Sequence, residues 1–325
     1  KGLIIKKVLI TGIKGQDGVF LTNHLIKDGV KVYGISRNSN SDSFFNKLSY
    51  INKNIDSKKI KLIKADLNDK NIARELINDI APDSIINLSG PSSVYESFNN
   101  KNIKNDIVSI FNNLVNSCIE NSLFPDFFQA SSSEMYGLNQ DRRLDENSKF
   151  IPNSPYAEGK LENHRQVELL RKQYNWNLVS GILFNHESEF RESNYLISKI
   201  INYLINKDKK EPLTIGSLDY ERDWSYAGDL MKYVGKINSQ KLNENFVIGS
   251  GIPTSIKSLL DISFSFFNLN FKKYVEINNE LLRKNDPTIR IANVEKLNKF
   301  FKSEALMPIE EIVERMIKYK VSLRD

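Results

Sequence analysis

The sequence predicts an α/β fold: a doubly wound parallel sheet with a smaller C-terminal α/β lobe. Three observations carry this. Short β-branched runs alternate with longer amphipathic stretches through the first half. The runs are of the buried type, as strands covered on both faces are. Three glycines separate the first run from the first amphipathic stretch. Strand–helix alternation gives a parallel sheet, and right-handed crossovers place helices on both of its faces.

The elements follow in order. "KVLIT" (7–11) reads as a strand and "GVFLTNHLIKD" (18–28) as a helix. "VKVYGIS" (30–36) and "IKLIKAD" (60–66) are strands, the second followed by the helical "NIARELINDI". "SIINLSG" (84–90) is a strand, and "IKNDIVSIFNNLVNSCIEN" a helix. "DFFQASS" (126–132) is a strand, 154–174 a long helix and "LVSGILF" (178–184) a strand. Beyond residue 185 the alternation loosens. Helical stretches such as "YLISKIINYLINKD" and "IEEIVERMIKYK" are separated by short strands and loops. The expected division is 1–184 with roughly 224–250 as a dinucleotide-binding domain. Residues 185–223 and 251–325 form the substrate lobe.

Composition narrows the function. The chain has 325 residues, 40% of them hydrophobic, enough for a sizeable core. Its net charge is +6, but 46 Lys and Arg are interspersed with 40 Asp and Glu. With no basic stripe, a nucleic-acid partner is not expected, and the mildly basic balance would suit an anionic small molecule equally well. No apolar run is long enough to span a membrane. The start of the chain has neither a starting Met nor a signal-peptide pattern, so a cytoplasmic protein is expected. The one cysteine, Cys118, lies in an apolar-periodic stretch and reads as core. It builds no disulfide framework or zinc site, and no metal is expected.

"ITGIKGQDGVFL" sets Gly12, Gly15 and Gly18 between the first strand and the first helix. Glycines there allow a tight turn and let backbone approach a pyrophosphate at a helix N-terminus, the Rossmann-type arrangement. The second strand ends in "YGISRNSN". Ser36 and Arg37 stand where an acid would bond the ribose of NAD, so NADP is the expected cofactor. Asp66 suits either the adenine edge or the N-cap of the following helix.

"SPYAEGK" puts Tyr156 and Lys160 four apart on the long helix, on one face. An ammonium beside a phenol favours the phenolate and makes Tyr156 a workable acid/base. The pattern also occurs at Tyr195/Lys199 and Tyr203/Lys207, which read as packing with solvated lysines. Only Tyr156 has a serine-rich strand end, "QASSSEMYG", upstream in the parallel-sheet half. Ser132 can bond a substrate oxygen that loses its proton to Tyr156. Glu134 is a second base, which simple hydride transfer does not need; its presence suggests proton abstraction next to a carbonyl. The rival reading is a surface glutamate.

With these residues assembled, the chain resembles the extended short-chain dehydrogenase/reductase superfamily, and within it the GDP-mannose 4,6-dehydratases. "ITGIKGQDG", "QASSSEMYG", "SPYAEGK", "SGILFNHES" and "RDW" carry the resemblance. It implies Ser132, Glu134, Tyr156 and Lys160 as the catalytic set. It implies cofactor contacts from Gly12, Ile13, Gly15, Gln16, Asp17, Gly18, Arg37, Asp66, Leu67, Leu88, His186 and Arg191, with Tyr156 and Lys160. It implies substrate contacts from Ser92, Asn185, Lys199, Arg222 and Arg283, the arginines on phosphates. A homodimer or higher homo-oligomer is expected through the helices at 103–121 and 154–174. Ser132 stands where the family usually has threonine, and Asn38 where a second arginine is usual. The implied reaction is a nucleotide-sugar 4,6-dehydration of GDP-mannose or a related GDP-hexose. The alternatives are a 4-keto nucleotide-sugar reductase or epimerase of the same superfamily, and a non-catalytic dinucleotide sensor.

Overall fold

The computed structural model describes residues 6–38, 40–91, 94–100, 102–206, 211–282, 285–302 and 304–324. Its strands are β1 (Lys7–Thr11), β2 (Lys31–Ser36), β3 (Ile60–Lys64), β4 (Ser84–Asn87), β5 (Asp126–Ser132), β6 (Arg143–Leu144) and β7 (Leu178–Leu183). Seven more follow: β8 (Asn185–Glu187), β9 (Leu213–Ile215), β10 (Glu221–Tyr226), β11 (Asn245–Ile248), β12 (Pro253–Ser255), β13 (Val275–Ile277) and β14 (Ile289–Ala292). The chain divides into two compact units. The first is Lys1–Gly137, Phe150–Leu183 and Met231–Phe246; the second is Leu138–Lys149, Phe184–Leu230 and Val247–Asp325.

The first unit is built on a seven-stranded sheet in the order β11-β7-β5-β4-β1-β2-β3. From β3 to β7 every neighbouring pair is parallel. The order reverses between β1 and β4, which opens a crevice at their carboxyl ends where such sheets bind ligands. Helices α1 (Gln16–Lys27), α2 (Asp42–Ile51), α3 (Lys70–Ile80), α4 (Val94–Asn99), α5 (Asn102–Glu120) and α6 (Pro155–Tyr174) connect the strands. β4 and β7 are buried along their whole length, as their apolar runs require. Leu9, Ile85, Phe111, Leu114, Phe127 and Trp176 form part of one core cluster. Cys118 lies in it, and burial pushes its thiol up to about 12.

Local chemistry sets the helix starts. Ser154 caps α6 by accepting from the Ala157 N–H at 3.1 Å, and Pro155 fits the first turn, where its missing N–H costs nothing. Asp69 caps α3, accepting from the N–H groups of Asn71 and Ile72. The expectation that Asp66 could be that cap is therefore corrected. Asp66 lies one turn too early, and its carboxylate accepts from Asn68 instead.

The second unit holds a sheet in the order β12-β10-β14-β6, with β8 also paired to β10, and a small β13-β9 pair. Helices α7 (Leu196–Ile205), α9 (Ile256–Ser265) and α11 (Ile309–Ser322) lie in it, with the short α10 (Glu295–Phe300); α8 (Ala227–Ser239) is shared between the units. Among the described residues no helix is long and apolar enough to cross a membrane.

Candidate active site

The turn after β1 brings bare backbone together. Gly12 has φ +69°, and a Cβ there would meet the Leu88 carbonyl oxygen at 3.0 Å. A Cβ on Gly18 would lie 2.3 Å from the Ile13 carbonyl oxygen. No side chain caps α1, whose N-cap is Gly15. An uncapped helix start approached only by backbone suits a pyrophosphate, so these residues fit a dinucleotide. The Ile13 side chain is wholly buried beside Gly34, so Ile13 can offer a ligand only its backbone.

A row of polar side chains crosses the carboxyl ends of the central strands. Thr11, Asn87 and Gln129 are direct register neighbours on β1, β4 and β5. Thr11 donates to Asn87 Oδ1 at 2.5 Å, Asn87 Nδ2 to Gln129 Oε1 at 2.7 Å, and Gln129 Nε2 to the Ala130 carbonyl at 3.0 Å. All three side chains are buried, and each bond satisfies a group that would otherwise be costly there. The same Ala130 carbonyl receives Lys160 Nζ at 2.9 Å. The row therefore ends on the lysine of the tyrosine–lysine pair.

Lys160 is 6% exposed. Burial pushes its ammonium down to about 8, while the Asp17 carboxylate acts the other way. Asp17 stands in the first turn of α1, so the glycine-rich turn and α6 face one another electrostatically. Lys160 Nζ is 5.7 Å from the centre of the Tyr156 ring. Tyr156 is buried against Ile103 and Ile107 of α5. One turn further along α6, His164 Nδ1 meets Ser180 Oγ at 2.7 Å, and Ser180 Oγ meets Ser131 Oγ at 2.7 Å. Burial holds the imidazole down at about 4, so it is neutral. α6 is thus tied to β5 at two successive turns.

Ser132 closes β5, and its hydroxyl accepts from the Glu134 N–H at 3.2 Å. The 3₁₀ turn Ser133–Tyr136 carries Glu134, half-buried, and packs against α6. Gly137 ends the turn at φ +51°, where a Cβ would lie 1.9 Å from the Ile151 carbonyl oxygen; only glycine fits. In the first unit Ser132 and Glu134 stand at the end of β5, and Tyr156 and Lys160 stand on α6, which Lys160 joins to Ala130 of β5, with Asp17 acting on Lys160.

The other expected residues are placed as follows. Arg37 is exposed immediately beyond β2. Leu67 is buried, and its carbonyl accepts from Asn113. Asn185 and His186 lie on β8, with His186 Nδ1 2.7 Å from the Phe184 carbonyl oxygen. The Arg191 guanidinium stacks 3.4 Å from the Tyr195 ring centre and has Glu187 at 3.4 Å. Lys199 is exposed on α7. The Arg222 guanidinium is held by Asp286 at 2.8 Å and by the carbonyls of Glu221 and Thr288. Ser92 and Arg283 lie outside the described residues, as does Lys207 of the third tyrosine–lysine spacing. Among the described residues no group of three or more His, Cys, Asp or Glu could hold a metal ion.

The reading along the chain missed the Thr11–Asn87–Gln129 row. Its signal was present: each residue is the polar one that follows an apolar run, in "VLIT", "SIIN" and "DFFQ". It also missed Asp223, which accepts from Ser250, Gly251 and Ala292 and is pushed up by burial.

A parallel sheet in this order, a glycine-rich first turn, and a serine at the end of β5, the strand to which the Tyr-x-x-x-Lys helix is bonded, define the short-chain dehydrogenase/reductase class. A family model described as GDP-mannose 4,6 dehydratase matches residues 9–316, and the chain belongs to that family of nucleotide-sugar 4,6-dehydratases. GDP-mannose 4,6 dehydratase 1 of Arabidopsis thaliana is 31% identical over 96% of this chain and 89% of its own length. The Homo sapiens GDP-mannose 4,6 dehydratase is 35% identical over 79% of this chain and 71% of its own. Among solved structures, the dTDP-glucose 4,6-dehydratase DesIV of Streptomyces venezuelae, with NAD bound, superposes with a TM-score of 0.84. It is 16% identical over 98% of each chain, a likeness of fold alone.

Proposed function

We propose that the chain is an NADP-dependent 4,6-dehydratase acting on GDP-mannose or a closely related GDP-hexose. The observation that carries the catalytic part is the convergence at Ala130. Its carbonyl fixes Lys160, and two residues further along the same strand Ser132 presents its hydroxyl. A bound nicotinamide, held at the glycine-rich turn after β1, would supply the acceptor for hydride from sugar C4 and the donor for its return at C6.

The chain's own residues supply the proton chemistry. Tyr156 takes the C4 hydroxyl proton, with Lys160 favouring its phenolate and Ser132 donating a hydrogen bond to the same oxygen. The C4 ketone so formed acidifies C5–H. Glu134 removes that proton and passes it to the C6 hydroxyl, which leaves as water; once hydride has added at C6, the enolate takes a proton at C5, and Tyr156 gives up the proton gained in the first step. Base removal and leaving-group protonation by one carboxylate are compatible, because the second needs the proton gained in the first. Arg222 and Arg283 are assigned to the diphosphate, Arg191 and His186 to the cofactor, and Asn185, Lys199 and Ser92 to the substrate. Gly12, Ile13, Gly15, Gln16, Asp17 and Gly18 are assigned to the pyrophosphate side, and Asp66, Leu67 and Leu88 to the adenosine and nicotinamide sides. Arg37 is assigned to the 2′-phosphate. A cytoplasmic homo-oligomer, paired through α5 and α6, completes the reading.

The test is mass spectrometry of nucleotide sugars incubated with the protein and NADP. Loss of one water from GDP-mannose without net consumption of reduced cofactor is expected. Stoichiometric consumption of NADPH would point to the reductase alternative instead.

A further inference from the structure

Tyr156, Lys160 and His164 recur every fourth residue along one face of α6. His164, Ser180 of β7 and Ser131 of β5 are all buried, and none of the three has a part in the proton chemistry. The neighbours of the imidazole fix which nitrogen carries its proton. Asn245 Oδ1 accepts from Arg171 Nη2 at 2.8 Å, and Asn245 Nδ2 donates to Glu168 Oε1 at 2.8 Å. Both bonds turn the amide the same way, with its NH2 toward the ring. His164 Nε2, 3.3 Å from that NH2, can only accept from it. Glu168 Oε1 is 3.8 Å from Nε2, too far to take a hydrogen bond. Burial keeps the ring neutral against the pull of Glu168, so its one proton sits on Nδ1. Nδ1 donates to Ser180 Oγ at 2.7 Å, and Ser180 passes its own hydrogen to Ser131 Oγ at 2.7 Å.

We propose that His164 is a positioning residue for C4 oxidation: by donating from Nδ1 through Ser180 to Ser131, it holds the end of β5 in register with Tyr156. The proposal rests on the dehydratase reading and adds to it a residue that touches no substrate. Ser131 lies between the two residues of β5 that matter for the reaction. Ala130 gives its carbonyl to Lys160, and Ser132 carries the hydroxyl for the sugar oxygen. The Lys160 bond alone is a single point about which α6 can turn. A second bonded point one helical turn away removes that freedom. Ser132 and Tyr156 must meet at one oxygen, so this rotation is the motion that would separate them. The direction of the chain matters as well. With the proton on Nε2, two donors would face each other at Asn245, and the bonds to Ser131 would have to reverse.

The test uses the full chain with NADP and GDP-mannose, at a temperature where circular dichroism shows every variant folded. His164→Phe keeps an aromatic ring beside Phe150 and loses the hydrogen bonds. It should lower kcat by about tenfold, less than the roughly hundredfold that a misplacement of about 1 Å can cost, and leave KM within about twofold. His164→Asn sets an amide N–H near the place of Nδ1–H and should regain most of that loss. Ser180→Ala should match His164→Phe, and the double variant should lose no more than either, since both cut one chain. An unchanged kcat in His164→Phe, or additive losses in the double variant, would overturn the proposal and leave the dehydratase reading standing. The wild type also answers without turnover. The chain has three histidines, and the imidazole nitrogen signals missing from the nuclear magnetic resonance spectrum of His164→Asn identify this one. They should show the proton on Nδ1; a proton on Nε2 would overturn the proposal. If the wild type dehydrates no GDP-hexose, the dehydratase reading fails and the proposal fails with it.

Discussion

The two compact units bury positive charge in opposite ways. In the first, Lys160 is buried against a neutral carbonyl, with Asp17 as the charge acting on it, and its ammonium is pushed down to about 8. In the second, Arg222 and Arg290 grip the two oxygens of one carboxylate, Asp286, at 2.8 and 3.2 Å. A cation in a low-dielectric pocket without a bonded carboxylate responds strongly to any proton or charge that arrives. A cation locked to a buried carboxylate responds little, and removing its partner is what hurts. The first arrangement is that of a reacting centre. The second is that of a scaffold, or of a binding surface whose guanidinium is already aimed.

Substitutions can break this contrast. The largest effect is expected for Tyr156→Phe. Without the phenolic oxygen no C4 oxidation should start, so neither reduced cofactor nor dehydrated sugar should form. Turnover should fall by at least about 10²–10⁴, the usual worth of a general base. Rapid-quench product analysis and the absorbance of reduced nicotinamide check both at once. Detectable oxidation in this variant would move the base elsewhere.

Asp286→Asn tests the scaffold side. It leaves two buried guanidinium groups sharing one neutral amide, which should cost about 3–5 kcal/mol of stability. Denaturant unfolding measures this. A change below about 1 kcal/mol would mean that the second unit does not depend on the pair, and the contrast would lose one of its sides.

The smallest expected effect sharpens the other side through pH. The native Lys160 ammonium loses its proton near 8, whereas the unfolded lysine keeps it to about its ordinary value of 10.5. Between those values the unfolded chain holds more protons, so the burial penalty of Lys160 fades and its contribution to stability rises with pH. Below 8 the penalty is fully present. The unfolding free energy of the wild type minus that of Lys160→Met, followed from pH 7 to 10, should therefore shift toward the wild type. A flat difference would mean that Lys160 is not strained by its burial.

The same contrast explains what the sequence revealed. The first unit was largely legible, because a parallel sheet writes its strands as apolar runs and its ligand turns as glycines. β1 and β5 have the bounds expected, 7–11 and 126–132, and α6 begins one residue after the expected 154. Gly12, Ser132, Tyr156 and Lys160 were visible because each stands at a fixed offset from a strand or helix end. The Thr11–Asn87–Gln129 row was missed although each residue was in view, since register between strands far apart in sequence is set by the fold. The second unit was nearly opaque. Asp223 is joined to Ser250, Gly251 and Ala292, and Asp286 to Arg222 and Arg290, across spacings with no period. Asp66 shows a finer limit, because choosing between two nearby acids as the cap of α3 takes backbone geometry.

The central claim is that the end of β5 carries a second base, and that this separates a dehydratase from a redox-only enzyme. Glu134→Gln tests it most directly, in a single turnover with GDP-mannose and NADP. The variant keeps the shape of the turn and loses only the carboxylate. The account predicts that C4 oxidation proceeds, that reduced cofactor accumulates, and that water loss falls by about 10²–10⁴. Dehydration at the wild-type rate would contradict it, and would leave Glu134 a turn residue beside a site for simple hydride transfer.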